Sequence, residues 1–432
     1  MLENMRNILF WAKDILQGSL VRNQLLEITN LLHDPQKTVE MSELRCQNLL
    51  QEACRNVPYY KEFSDDVIRL EDFPILQKSQ IRANYNAFFS TRFKRGSLIP
   101  VTTSGSYGTP FTFWLTKQRK ARQVAEVIYF GKWAGYSVGQ KHAYVRVIHK
   151  SGLKKFIQNE ILMSPIIMDD AWLQEQRILL KKKRVKIIIG YPTAIGSLAA
   201  FCYKNGDNAS CFNVTGIITT SEPILPNTRE IIKNTFNCSI LSRYSSEELG
   251  VIAQECPICG NYHLNIASLI VEMLDLNYDK PAQIGQLGRI VVTDLFSHAM
   301  PLIRYDTGDI AIKASSKSCT FNTPVMDSVQ GRSIEMIYSV NGNPISPFSI
   351  NGAMRDIDNI IQFQFIQVKA SVYTIRLNVL PDFNYESIIL QRMHNILGNT
   401  ATVNIEYVSD IPPLLSGKRP YIINELKIGK NS

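Results

Sequence analysis

Residues 185–204, VKIIIGYPTAIGSLAAFCYK, decide the fold class. Val185 to Ile189 is a β-branched run of strand type, and Gly190-Tyr191-Pro192 interrupts it. Apolar residues then recur at helical spacing from Thr193 to Lys204. The unit is followed at once by another of the same kind. Gly216 to Thr219 is a second apolar run, Ser221-Glu222-Pro223 a turn, Asn227 to Phe236 a helix pattern, and Cys238 to Leu241 a third strand. Short strands alternating with helices predict a largely parallel sheet with covering helices.

Working outward, residues 117–134 read as a long helix. The first hundred residues are mostly helical in pattern, with Leu25 to Leu32 and Val39 to Ala53 as periodic stretches and a break at Asn56-Val-Pro-Tyr-Tyr60. Residues 264–312 change character. The β-rich runs Leu269 to Leu274, Gly288 to Asp294 and Asp309 to Ile312 predict an antiparallel or barrel-like subdomain. After Gly331-Arg332 the order is strand (Ile334 to Val340), helix (Ser349 to Ile357), two strands within Gln362 to Leu380, helix (Tyr385 to Leu397) and strand (Thr402 to Val408). That β-α-β-β-α-β order makes a compact split-βαβ unit. The expected architecture is therefore mixed α/β (α+β). A large domain, 1–332, holds helix-covered sheets and the β-rich subdomain. A small α+β domain follows at 333–432.

Of the 432 residues, 45% are hydrophobic and 20% charged, an ordinary globular balance. The net charge of +9 favours an anionic partner: nucleotide, nucleic acid or membrane surface. No uninterrupted apolar run approaches the ~20 residues of a membrane span. Near the N-terminus, Leu9, Ala12, Ile15 and Leu16 fall near one face of an amphipathic helix, which packs on the body or touches a membrane surface. Eight cysteines are too few for a disulfide scaffold, and with no secretory signal a reducing cytoplasm is expected. The run Lys181-Lys-Lys-Arg184 with Lys186 reads as a solvated helix end. No nucleic-acid motif is recognised, so nucleic acid is not an expected partner.

Thr102-Thr-Ser-Gly-Ser-Tyr-Gly-Thr-Pro110 is dense in hydroxyls and glycines. Gly105 and Gly108 let the backbone approach a bulky anion. Thr103, Ser104, Ser106 and Thr109 offer hydroxyl donors, and consecutive N–H groups can form an anion nest. It is not a Walker A loop, which needs G-x-x-x-x-G-K-[ST].

This segment resembles the T-S-G-[ST]-T-G-x-P phosphate loop of the adenylate-forming superfamily of acyl- and aryl-CoA ligases. Further motifs follow in that family's order. Tyr244-Ser-Ser-Glu-Glu248 resembles Y-G-x-[ST]-E, which implies that Tyr244 stacks on adenine and Glu248 helps hold Mg²⁺. Ser221, Glu222 and Pro223 sit where the family places an adenine-lining turn. Tyr305-Asp-Thr-Gly-Asp309 resembles Y-x-T-G-D, which implies that Asp309 accepts from the ribose hydroxyls. Gly331-Arg332 resembles the G-R that ends the large domain, with Arg332 on the nucleotide. Leu415-Ser-Gly-Lys418 resembles S-G-K, whose lysine reaches the substrate carboxylate and the α-phosphate. Asn56 to Tyr60, Pro74-Ile-Leu-Gln-Lys78, Gly190-Tyr-Pro192 and Pro301-Leu-Ile-Arg-Tyr305 are most similar to the phenylacetate–CoA ligase group and its capsular-polysaccharide branch.

Three positions depart from the pattern. Tyr107 replaces a small hydroxyl residue in the phosphate loop. Ser245 and Glu247 replace Gly and Ser/Thr beside Glu248, and spacing from Tyr244 favours Glu248 over Glu247 as the metal carboxylate. Glu335 stands where the hinge residue is commonly Asp or Lys.

Cys256-Pro-Ile-Cys259 followed by His263 suits Zn²⁺, since thiolate and imidazole at this spacing are its ligands. Cys319 is the fourth-ligand candidate, because related enzymes carry a cysteine cluster at that point. A closed four-ligand site would be structural.

The resemblance implies a two-step ligase. ATP activates a small-molecule carboxylate as acyl-AMP, and the acyl group passes to coenzyme A. An amine acceptor in surface polysaccharide synthesis and a degenerate nucleotide-binding relative are the other readings. The small C-terminal domain would be mobile, rotating between the two steps.

Overall fold

The computed structural model describes residues 2–63, 69–103, 111–148, 150–166, 168–315, 319–321, 323–332, 337–345, 349–350, 353–354, 357–412 and 420–428, with backbone alone at 103, 330–332, 344 and 427–428. Three helices open the chain: α1 (Leu2–Leu16), α2 (Leu20–His33) and α3 (Pro35–Asn56). Pro at the first turn of α3 and Asp34, whose side chain accepts from Lys37 N, start that helix. A short α4 (Lys78–Ala83) precedes the hairpin of β1 (Ile99–Thr103) and β2 (Phe111–Leu115). Thr103 pairs with Phe111, so the expected phosphate loop is the connection of an antiparallel hairpin. Residues 104–110, and with them Ser104, Gly105, Ser106, Gly108 and Thr109, lie outside the described residues. The helix α5 (Lys117–Gly131) follows, capped by Thr116, whose hydroxyl accepts from Arg119 N.

The strand–helix alternation is present. Strands β3 (His142–Val145), β4 (Glu160–Met163), β5 (Ile187–Gly190), β6 (Gly216–Thr220) and β7 (Ser239–Ser246) are all parallel. Helices α6 (Gly152–Gln158), α7 (Asp170–Lys183), α8 (Pro192–Lys204) and α9 (Pro226–Phe236) connect them. Every residue of β5 and β6 is buried, as strands covered on both faces require. Ile188, Ile217 and Ile240 pack with Leu180, Leu198 and Ile232 of the helices on one face. On the other face Ile187, Ile189, Ile218 and Leu241 meet Trp133 and Tyr136. The run Lys181–Arg184 closes α7, where cations suit the helix dipole.

The β-rich part continues the same sheet. Strands β8 (Gly250–Glu255), β9 (Tyr262–Leu264), β10 (Leu269–Leu274), β11 (Leu287–Asp294), β12 (Tyr305–Lys313) and β13 (Val325–Arg332) are antiparallel to their neighbours. The order across all eleven strands is β10-β11-β12-β13-β9-β8-β7-β6-β5-β3-β4. The antiparallel, β-rich part expected from the sequence is thus present, and it continues the parallel sheet edge to edge. The join is narrow: β9 has three residues, and only Val325↔His263 and Met326↔Tyr262 pair β13 with it.

Two expectations are corrected. Of the two uses expected for the apolar face of α1, packing on the body is corrected: Leu9, Ala12, Ile15 and Leu16 face outward, and the polar side meets the body. In the C-terminal part, the sheet order is β18 (Thr402–Tyr407), β17 (Val372–Val379), β16 (Ile360–Lys369) and β19 (Ile422–Asn424). The described part of the run at 334–340 is not in this sheet. Its described portion, β14 (Ile337–Tyr338), pairs instead with β15 (Pro344–Ile345) across a turn with Gly342 at φ 77°. The edge place is taken by β19, parallel to β16. Phe365, Tyr373, Ile375, Ile389, Met393 and Ile422 share this part's own core, with Ile389 and Met393 on the helix Glu386–Leu397. Among the described residues no helix is long and apolar enough to cross a membrane.

Candidate active site

Parallel strands gather their following loops at one edge, and ligands of such sheets bind there. Arg146 follows β3, Tyr191 follows β5, Ser221 and Glu222 follow β6, and Glu247 and Glu248 follow β7. Ser221 holds φ at 72°, a left-handed conformation that costs a non-glycine residue about 1–2 kcal/mol. Glu222 accepts from the Thr193 hydroxyl at 2.8 Å, tying this turn to the start of α8.

Three of the sequence-expected groups meet. The Tyr244 hydroxyl donates to Asp309 Oδ2 at 2.7 Å and lies 3.1 Å from Thr307 Oγ1. Burial and the Asp309 carboxylate push the Tyr244 hydroxyl well above its ordinary value, so it stays a protonated donor. The Tyr305 hydroxyl donates to Glu248 Oε1 at 3.2 Å. Glu248 is buried, whereas Glu247 turns away and pairs with Arg146 at 2.7 Å. The Thr307-Gly-Asp309 turn is fixed locally: Gly308 N donates to Asp306 Oδ1, Asp309 N to Thr307 Oγ1, and Thr307 Oγ1 to Ile290 O. Asp309 stands opposite Arg332 in the β12–β13 ladder, so the last two large-domain motifs are cross-strand neighbours. The Arg332 side chain, Thr103's side chain and Lys418 are outside the described residues.

The resemblance segments converge beside these groups. Leu76 N donates to Arg304 O and Asp306 N to Leu76 O, so residues 74–78 run alongside the start of β12. The Tyr60 hydroxyl donates to Pro301 O at 3.2 Å.

Several residues that hold the site were not legible as site residues. Arg119 on α5 is fully buried between Glu126 at 2.8 Å and Asp294 at 2.7 Å, and donates to Leu249 O at 2.5 Å. Burial works to lower Arg119 and the two carboxylates outweigh it, so the guanidinium stays charged. Gln123 Nε2 donates to Glu247 O at 3.0 Å, and Glu126 accepts from Val251 N at 3.2 Å. The turn that carries Glu248 is therefore clamped from α5. The signal lay in spacing: Arg119, Arg122, Gln123 and Glu126 fall at i, i+3, i+4 and i+7, a buried stripe written in polar residues. Arg146 carried no such signal. It reaches Tyr144, Tyr191 and Glu247, making a polar cluster at the end of the turn that carries Glu248.

The thiol cluster is assembled. Ligand atoms of Cys256, Cys259, His263 and Cys319 lie within 4.8 Å of one another. Cys256 Sγ and Cys319 Sγ are 3.7 Å apart, close to the ~3.8 Å edge of a tetrahedron with Zn–S bonds of about 2.3 Å. Cys259 Sγ is 3.3 Å from His263 Nε2, while His263 Nδ1 meets the Thr323 hydroxyl at 2.7 Å. Burial lowers the His263 imidazole, favouring the neutral form a metal needs. Donor type, number, spacing and outer partner all fit zinc.

Residues 337–425 match the CapK C-terminal domain. Protein CapK of Staphylococcus aureus is 23% identical over 376 residues, covering 84% of this chain and 81% of that protein. The phenylacetate-coenzyme A ligase of Escherichia coli is 24% identical over 393 residues, covering 84% and 88%. The chain is thus similar along most of its length to CapK and to the phenylacetate-coenzyme A ligases. Among solved structures, 2-hydroxyisobutyryl-CoA ligase in the postadenylation state with 2-HIB-AMP superimposes with a TM-score of 0.73, at 15% identity, over 89% of each chain. ATP-bound MatB from Rhodopseudomonas palustris gives 0.57 over 76% of this chain and 67% of that one. These likenesses give this chain the fold of the adenylate-forming ligases.

Proposed function

We propose that the chain is an ATP-dependent, AMP-forming ligase that activates a carboxylic acid and passes the acyl group to an acceptor, coenzyme A. The observation that carries this is the meeting of Tyr244 and Glu248 with Tyr305, Thr307 and Asp309, through hydrogen bonds that span 57 to 65 positions of sequence. In this reading a carboxylate oxygen attacks the α-phosphorus of ATP, the bond to the β-phosphate oxygen breaks, and pyrophosphate leaves. No side chain acts as base, because carboxylic acids are already ionised at neutral pH. The Tyr244 ring lies against adenine beside the Ser221-Glu222-Pro223 turn, and Asp309 accepts from ribose. Arg332, Lys418 and the loop donors Thr103, Ser104, Ser106 and Thr109, with Gly105 and Gly108, take the phosphate charge. Mg²⁺, for which the Glu248 carboxylate is the fitting hard donor, would supply further neutralisation when bound.

In the second step the acceptor thiol attacks the acyl carbonyl, the bond to AMP breaks, and a small domain at 333–432 turns about a hinge after Arg332 to exchange Lys418 for the acceptor. An amine acceptor in surface polysaccharide synthesis is the second reading, which the sequence resemblance leaves open. The cluster of Arg146, Tyr144, Tyr191 and Glu247 suits an acid that carries hydrogen-bonding groups, since an aryl or fatty body would want apolar lining. Cys256, Cys259, His263 and Cys319 would hold a structural zinc. Eight cysteines, none of them in a disulfide, and a need for ATP suit the cytoplasm.

The test is carboxylate-dependent ATP–pyrophosphate exchange with pooled aryl, fatty, hydroxy and amino acids. Exchange with a polar pool supports the whole reading. Exchange with aryl or fatty acids alone keeps the chemistry and overturns the polar acid. Folded protein that binds ATP but exchanges with no pool would instead be a nucleotide-binding relative without the activity.

A further inference from the structure

An amphipathic surface helix normally turns its apolar stripe inward. In α1 the reverse holds. Leu2, Met5, Ile8, Leu9, Ile15 and Leu16 are between 51% and 88% exposed. At 100° per residue they fill an arc of about 140°, and Glu3, Asn7 and Asp14 lie on the opposite side. Those three polar residues are the ones that anchor the helix. Asn7 Nδ2 donates to Val138 O at 3.0 Å, Glu3 pairs with Lys186 at 2.7 Å, and Asp14 accepts from Val21 N and Arg22 N at 2.9 Å. Gly139, at φ 89°, brings its backbone against Glu3 and Asn7, where a Cβ would collide with both.

A second exposed apolar surface adjoins it. On α6, Leu153, Phe156 and Ile157 are between 56% and 71% exposed, and the Arg6 guanidinium sits 5.1 Å above the Phe156 ring. Nine large apolar side chains on two touching helices make a patch that a monomer in water seldom shows. Outside the anchoring contacts, the charged side chains of the two helices are basic. Arg6 and Lys13 border the stripe of α1, and Lys154 and Lys155 stand on α6. The carboxylates of α1 are both engaged, and α6 has none.

We propose that α1 and α6 together form a docking face for an anionic lipid bilayer, lying in the headgroup region with the apolar row inserted and the cations on lipid phosphates. An apolar face bordered by lysine and arginine matches that surface in both respects. A second copy of the chain would bring lysine against lysine.

The test is co-sedimentation of the full chain with vesicles of phosphatidylglycerol and phosphatidylcholine in equal parts, and with phosphatidylcholine alone. Binding is expected to the mixed vesicles, weaker by about tenfold or more without the anionic lipid, and to fall with added salt. The double variant Leu9→Glu with Phe156→Glu should lose binding by about tenfold or more while circular dichroism and ATP binding are unchanged. Absence of binding to the mixed vesicles, or equal binding by the double variant, overturns the proposal. So does self-association of the wild type, seen by sedimentation velocity, that the same variant abolishes, for it would give the patch to a second copy.

Discussion

Glu247 and Glu248 are adjacent in sequence and opposite in surroundings. One pairs with Arg146 in a half-open polar cluster, and the other is buried against Tyr305. Glu248→Gln should therefore cut pyrophosphate exchange by about 10²–10³-fold. Glu247→Gln should leave maximal exchange within about threefold and raise the KM for the acid, because it frees Arg146. Equal losses from the two variants would show that the assignment to Glu248 is wrong. Gly250 tests the clamp on the same turn. Its φ is 72°, and a Cβ there would run into the Glu126 carboxylate. Gly250→Ala should destabilise the protein by about 2 kcal/mol or more, read as a lowered midpoint in urea, because strain and displacement of the Arg119–Glu126 pair add. At this scale the motif residues were legible because their chemistry is local and their spacing fixed. Arg119 and Asp294 were not, because they meet across 175 positions and neither is unusual in its own stretch.

Strand β9 is the weakest link of the large sheet, yet Tyr244 and Asp309 stand on either side of it, on β7 and β12. The thiol cluster spans the same place. Cys256 and Cys259 lie between β8 and β9, His263 is within β9, and Cys319 comes just before β13. A metal there would staple three strands where hydrogen bonding is thinnest. Cys259→Ser should lose about one equivalent of zinc, lower Tm by about 5 °C or more, and raise the KM for ATP. Unchanged zinc content by elemental analysis would end that account. Element existence was largely legible, since periodicity is written residue by residue. The joining of the parallel and antiparallel parts was not, because β8, β9 and β13 are short and their pairing is decided by partners far along the chain. The same holds for β19, whose three residues, Ile422 to Asn424, take a sheet edge and lie beyond the last strand read from the sequence.

For the whole molecule, the two-step reading divides labour between the parts before and after Arg332. Lys418→Ala should lose adenylate formation by about 10²–10³-fold and keep transfer from a supplied acyl adenylate. If both half-reactions fall together in folded protein, the division is wrong. The large sheet sets a different property. Strand β7, which carries Tyr244, lies near its middle, with four strands on one side and six on the other. Its amides cannot meet solvent by fraying from an edge. In deuterated water they should be among the last to exchange, at a rate governed by opening of the entire large sheet. Heat should then abolish nucleotide binding in the same transition that melts the fold, with no earlier, partly active stage.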